Sequence, residues 1–69
     1  MKLDVYGRFQ LEVVRESDSW VAYRIGPGTR TRDANLVIPS SLSPAEVASY
    51  IDDLFHELAG PGQAVRVVS

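Results

Sequence analysis

The chain has 69 residues, no cysteine, one histidine and a formal net charge of −2 at pH 7. This length allows one domain over residues 1–69, and the lack of cysteine excludes disulfides and thiolate metal sites. The slight acidity argues against general nucleic-acid binding, and no apolar run has membrane-spanning length. We therefore expect a single cytoplasmic domain that uses no cofactor, metal or membrane.

The first predicted element is one long strand over residues 2–15. Apolar and polar side chains alternate along it, which is the period of a half-buried strand. Gly7 keeps this alternation, so we expect a bend there rather than a break. The expected core face carries Leu3, Val5, Phe9, Leu11 and Val13, and the other face carries Tyr6, Arg8, Gln10, Glu12 and Val14.

A second strand is predicted from Trp20 to Ile25, after a polar turn. If both strands turn their odd residues to the core, Val13 lies opposite Val21 and Leu11 lies opposite Tyr23. A register shifted by one residue would expose the core face.

A third strand begins at Thr29, after Gly26-Pro27-Gly28. This tripeptide predicts a type II turn, because proline fixes its own φ and glycine accepts a positive φ. The sequence leaves open whether residues 29–38 form one bulged strand or two short pieces.

An amphipathic helix after Ser43 is the clearest signal in the chain. Ser43 can cap the helix, Pro44 suits its first turn, and Glu46 has the spacing of a capping box. Gly60 and Pro61 end the helix. The predicted buried stripe, which we expect to pack against Leu11, Val21 and Tyr23, consists of Val47, Ile51, Leu54, Phe55 and Leu58, with Tyr50 at its edge.

A last strand over residues 64–68 completes the order β-β-β-α-β. We predict an α+β fold with a mostly antiparallel sheet and one helix packed on one face. A right-handed crossover would place the last strand beside the first and parallel to it, in the order 3-2-1-4.

The sheet face away from the helix is where we expect a functional surface. Trp20, Val14 and Tyr6 are large apolar side chains for a solvated face, and they predict an interface with a second copy or another protein. The alternative is that Trp20 folds over its own hairpin and stabilises it.

Three arginines, Arg24, Arg30 and Arg32, could form a basic patch beside these aromatic residues, with Arg8 nearby. Aromatic residues among arginines are typical of surfaces that bind single-stranded RNA. The favoured alternative is pairing across the strands, with Glu12 bound to Arg24 and Asp33 bound to Arg30 or Arg32.

A metal site and a catalytic site both lack the residues they need. Asp52 and His56 have the i, i+4 spacing of two metal ligands, but no third nitrogen or sulfur ligand accompanies them. No serine lies in a Gly-x-Ser-x-Gly motif, and no phosphate-binding loop is present. We therefore expect a solvated helix face and no enzyme activity.

The region from Phe9 to Leu58 resembles the small β-β-β-α antitoxin domains of the HicB family. The similarity lies in a hairpin containing Trp20-Val21-Ala22-Tyr23, an irregular third strand and a helix that starts at Ser43-Pro44-Ala45-Glu46. This resemblance implies a dimer-forming, protein-binding module, and it transfers no active residues.

These observations predict a small, non-catalytic protein-interaction module. The alternative is a single-stranded RNA-binding domain that uses the open sheet face.

Overall fold

The computed structural model describes all 69 residues and contains one sheet and one α-helix. The strands are β1 (Lys2–Val5), β2 (Phe9–Glu16), β3 (Ser19–Gly26), β4 (Thr29–Arg32) and β5 (Val65–Val67). The helix α1 (Pro44–Phe55) tightens into a 3₁₀ turn over His56–Leu58. All strand pairs are antiparallel, in the order β4-β3-β2-β1-β5. The α+β class is confirmed, with four strands before the helix instead of three.

The predicted first strand is a hairpin, β1 and β2, joined by a tight turn. The Arg8 amide donates to the Val5 carbonyl at 2.9 Å, and Tyr6 and Gly7 have φ values of +55° and +69°. Two successive positive φ values are typical of a type I′ turn. Because Val5 pairs with Phe9, the paired residues have the same parity. The alternation therefore passes through the turn unchanged, and the prediction of one strand was wrong.

The direction of β5 relative to its neighbour also differs from the prediction, because the predicted first strand is two strands. Strand β5 pairs antiparallel with β1, with Leu3 opposite Val67. Since β1 is itself antiparallel to β2, β5 runs in the direction of β2. The two strands predicted to be parallel neighbours, β2 and β5, are thus separated by β1, which was predicted only as part of one long strand.

The predicted register between β2 and β3 is wrong by one residue. Ser17 and Asp18 form a two-residue turn with φ values of +48° and +64°, and Val13 lies opposite Ala22. A two-residue turn pairs odd residues with even ones, because the pair next to it is separated by three positions. The even residues of β3 therefore face the helix, and the odd ones face away from it.

The third predicted strand is the single short strand β4. The preceding turn is confirmed, with Gly26 paired to Thr29 and Gly28 at φ +67°. Residues 33–43 then form a loop that crosses to the helix side of the sheet. Ile38 is buried there, and the Tyr50 hydroxyl donates to the Val37 carbonyl at 2.9 Å.

The predicted helix start is confirmed. The Glu46 amide donates to the Ser43 hydroxyl at 3.3 Å, and the Ser43 amide donates to Glu46 Oε1 at 2.8 Å. These are the two hydrogen bonds of a capping box. The bonds from the Ser43 amide and hydroxyl lower the pKa of the Glu46 carboxyl.

The core lies between the sheet and the layer formed by α1 and the loop. It comprises Leu3, Val5, Tyr6, Leu11, Val13, Ala22, Ile38, Val47 and Ile51. The Phe55 ring packs edge-on against Phe9 with a centroid separation of 5.3 Å. Leu54 and Leu58 are 49% and 41% exposed, so the predicted stripe is too wide. Leu58 leaves the stripe because a 3₁₀ turn has about 3.0 residues per turn.

Candidate functional site

Trp20 lies on the helix face of the sheet, not on the open face where we predicted it. It pairs with Arg15 in the register between β2 and β3, and the Arg15 guanidinium lies 4.8 Å from its ring centroid. The indole N–H donates to the Leu42 carbonyl at 3.0 Å. Trp20 therefore attaches the loop to the sheet.

Tyr6 is a buried turn residue and also lies away from the open face. Its hydroxyl donates to the Asp52 carbonyl at 3.0 Å and contacts the Asp52 carboxylate. Burial, together with the hydrogen bond to Asp52, raises the pKa of Tyr6 to about 12. Asp52 therefore binds Tyr6, and no three His, Cys, Asp or Glu side chains lie close enough to hold a metal ion.

Val14 is the one predicted interface residue on the open face, where it pairs with Val21. The Tyr23 hydroxyl donates to Glu16 Oε2 at 2.9 Å. Tyr23 and Glu16 lie on either side of this valine pair along the strands, so the Tyr23 side chain crosses it. Val21 is accordingly only 7% exposed. The three predicted interface residues do not form one surface.

Arg30 adds further contacts to Tyr23 on the same face. Its guanidinium lies 3.7 Å from the Tyr23 ring centroid, and its Nε donates to Glu12 Oε1 at 2.5 Å. The bond from Arg30 lowers the pKa of the Glu12 carboxyl. We call Glu12, Glu16, Tyr23 and Arg30 the open-face stack.

The predicted basic patch is divided between the two faces of the sheet. Arg24 lies on the helix face, 4.1 Å from the Phe9 ring centroid and 3.6 Å from the Asp33 carboxylate. Arg30 and Arg32 lie on the open face, where Arg32 pairs with Tyr23. Ion pairs across the strands do form, but with other partners than we predicted. Glu12 binds Arg30 instead of Arg24, and Asp33 binds Arg24 instead of Arg30 or Arg32, because the register differs by one residue.

The strand β4 was predicted, but its unpaired outer edge was not, because that edge depends on the order of the strands in the sheet. All its residues are exposed, and it pairs with β3 alone. The Asp33 amide donates to the Ala22 carbonyl at 2.9 Å. Backbone N–H and C=O groups point alternately to the two sides of an antiparallel strand. Like Asp33, Thr29 and Thr31 therefore point their N–H and C=O groups toward β3. The outward N–H and C=O groups belong to Arg30 and Arg32, and we call them the free β4 edge.

A groove of about 660 Å³ lies beside β4. It opens on the helix face, beyond the part of the sheet that the loop and α1 cover. Its lining combines two threonines of β4 with Phe9 and the Arg24–Asp33 pair, and it consists of Phe9, Arg24, Ile25, Gly26, Thr29, Thr31, Arg32, Asp33 and Asn35.

Comparison with known proteins places the chain in one family. Residues 1–69 match the family described as a domain of unknown function, DUF7661. The chain belongs to the DUF7661 family. No curated protein and no solved structure matches it. The HicB-type resemblance gains no support from these comparisons and stays a hypothesis based on sequence pattern.

The free β4 edge of this DUF7661 chain offers hydrogen-bond donors, acceptors and positive charge in one place. Arg30 and Arg32 each present one N–H and one C=O outward, which is the pattern that an added strand requires. Of the two ion pairs in the structure, neither involves Arg32. The structure contains no helix with the length and apolarity needed to cross a lipid bilayer.

Proposed function

We propose that this protein is a small, non-catalytic interaction module that binds an extended segment of a protein partner along β4. The observation that carries the proposal is the free β4 edge, which lies beside the groove. An exposed edge strand can accept another strand through backbone hydrogen bonds, with pockets selecting alternate side chains.

The two sheet faces are less suited to binding than this edge. The helix face is covered by α1 and the loop, and Trp20 holds that loop through Leu42. The open face is covered over its valine pair by the open-face stack. Binding along β4 would disturb neither of these arrangements.

The arrangement of residues on which the prediction of single-stranded RNA binding depended is absent from the structure. That prediction required Trp20, Tyr6 and the arginines on one face, but Trp20 and Tyr6 make their contacts elsewhere. Tyr23 is the aromatic residue of the open face, and Arg30 already stacks on its ring. The structure therefore offers no aromatic platform for RNA of the kind that the sequence predicted.

The proposal includes a cytoplasmic location. A domain of 69 residues without cysteine has no disulfide to stabilise it, whereas small extracellular domains commonly depend on disulfides.

The test is a selection of binders from a library of random displayed peptides, followed by mapping of the site. Amide chemical shifts and hydrogen exchange would locate the bound peptide on the protein. We expect the largest changes at Arg30 and Arg32, whose outward amides become protected.

A matched pair of variants separates backbone binding from side-chain binding. Arg32→Pro removes an outward N–H that the fold does not use, whereas Arg32→Ala removes the same side chain and keeps the N–H. We expect Arg32→Pro to abolish peptide binding and Arg32→Ala to retain part of it. Peptides that instead shift amides of α1, or that bind Arg32→Pro normally, would refute the proposal.

A further inference from the structure

The structure of β4 also points to the chemistry of the partner. We infer that the segment bound along β4 carries two acidic residues separated by one β-branched residue. This inference rests on the proposed function, because it describes the ligand of the same edge.

The spacing follows from the directions of the side chains. Residues directly opposite each other in an antiparallel pair lie on the same face of the sheet. Arg30 and Arg32 are on the open face, and Thr31 between them is on the helix face with the groove. The residues of an added strand opposite the arginines therefore lie beside two positive charges, and the residue between them enters the groove.

The charge of these positions selects acidic residues. Arg32 forms no ion pair in the protein. Arg30 uses its Nε toward Glu12 and retains the other N–H donors of its guanidinium. Opposite charges on directly paired residues stabilise a sheet, and like charges destabilise it.

The same argument favours another partner over a second copy of β4. Antiparallel pairing about a two-fold axis normal to the sheet keeps each residue on its own face. Apart from the end register with Thr29 opposite Thr29, every such register that overlaps β4 places an arginine opposite an arginine: Arg30 opposite Arg30, Arg30 opposite Arg32, or Arg32 opposite Arg32. Self-pairing along this edge is therefore disfavoured, and a partner of opposite charge is favoured.

The groove determines the residue between the acidic pair. It lies beside Thr31 and is bounded by the Phe9 ring, over which the Arg24 side chain is stacked. A β-branched side chain suits this position, because it favours an extended backbone and can contact Thr31 across the strands.

The experiment compares two capped synthetic peptides, one with alternating valine and glutamate and one with alternating valine and glutamine. Binding is measured by fluorescence polarisation at two salt concentrations and mapped by amide chemical shifts. We expect the glutamate peptide to bind roughly three- to tenfold more tightly, since two favourable cross-strand charge pairs are gained. We expect Arg32→Glu to reverse this preference toward a peptide of alternating valine and lysine.

The control variant is Arg8→Gln, which removes an exposed arginine from the turn between β1 and β2. It should leave the preference for glutamate unchanged. Equal binding of both peptides at β4 would overturn the inference and leave the proposed function intact. Binding of neither peptide at β4 to a folded protein would overturn both.

Two other occupants are tested with the same variants. A labelled oligouridylate that binds the protein and is released by Arg32→Gln would assign the edge to nucleic acid and overturn the inference. A dimer in light scattering that Arg32→Pro dissociates would assign the edge to a second copy, with the same consequence.

Discussion

Tyr6 combines an unusual backbone conformation, a buried ring and a hydrogen-bonded hydroxyl. Its φ of +55° is uncommon for a side chain with a Cβ, its ring is buried, and its hydroxyl binds the backbone of Asp52 near the end of α1. Such a conformation persists where the surrounding contacts enforce it. Tyr6 therefore connects the β1–β2 turn to the helix that packs over it.

The contribution of the Tyr6 hydroxyl can be measured with the variant Tyr6→Phe. We expect it to lower the urea midpoint, because the half-buried Asp52 groups lose their donor. The matched control is Tyr50→Phe, whose hydroxyl also binds a backbone carbonyl but lies at an exposed site. Equal effects of the two variants would show that the contact between Tyr6 and Asp52 has no special weight.

The raised pKa of Tyr6 predicts a loss of stability at high pH. The folded protein holds this proton up to about pH 12, whereas an unfolded tyrosine releases it near pH 10. The stabilisation by protonated Tyr6 is therefore fully present below about pH 10, and the free energy of unfolding falls between about pH 10 and 12. Chemical unfolding from pH 8 to 12 should show this decline, and Tyr6→Phe should make it shallower. A decline of equal slope in both proteins would contradict the assignment.

The helix α1 packs on the sheet through a narrower stripe of buried apolar side chains than its sequence predicts. Val47 and Ile51 are fully buried and Phe55 contacts Phe9, whereas Leu54 is about half exposed. Residues 47, 51 and 55 follow one i, i+4 row, and Leu54 lies beside that row. Leu54 lines an open pocket beside the loop residues Asp33 and Leu36, so part of its side chain contacts water.

This difference predicts unequal effects of two similar truncations in one helix. Ile51→Ala should reduce the free energy of unfolding by about 2–5 kcal/mol, because it leaves a cavity in the core. Leu54→Ala should cost well under half of that, since much of the leucine already contacts water. Urea unfolding followed by circular dichroism measures both. Comparable losses would place Leu54 in the core and refute the exposed assignment.

The length of each turn decided which strands the sequence could predict. Three residues separate the paired positions Val5 and Phe9. The alternation of apolar and polar side chains therefore continues from β1 into β2, and the sequence pattern does not reveal the hairpin. After Glu16 the turn adds two, which reverses the parity of the pairs and moved Trp20 and Tyr23 to faces opposite to those we predicted. The turn at Pro27-Gly28 and the capping box at Ser43 were predictable, because their signals are local.

The free β4 edge could not be predicted from local patterns. Thr29–Arg32 reads as a short, polar strand, and nothing within it indicates that no further strand covers it. That property depends on β5 pairing with β1 at the other side of the sheet. The sequence indicated Arg30 and Arg32 by their charge. That their backbone groups point away from β3 follows only from the register between β3 and β4.

For the whole molecule, the structure shows how one sheet is covered without a second sheet. The helix and the loop cover one face, and Trp20 joins that loop to β3. The open-face stack covers the valine pair on the other face. The apolar side chains that we predicted to need a partner are thus covered within the chain.

Trp20→Phe tests whether this residue acts in folding or in association. We expect a loss of about 1 kcal/mol of stability, because the hydrogen bond to the Leu42 carbonyl is removed. The molar mass in light scattering should not change relative to the wild type. A variant of unchanged stability and reduced mass would restore the original prediction of an interface at Trp20.

The two ends of the chain lie side by side at the edge of the sheet away from β4. The Lys2 amide donates to the Ser69 carbonyl at 2.8 Å, and the Val68 amide donates to the Lys2 carbonyl at 2.9 Å. A short linker could therefore close the backbone into a ring, which could be reopened at Gly60-Pro61-Gly62. In that circular permutant β5 and β1 would form a local hairpin, and the most distant pairing of the sheet would become one of the nearest. Folding should then be faster, because chains with more local contacts fold faster, while β4 would keep its edge.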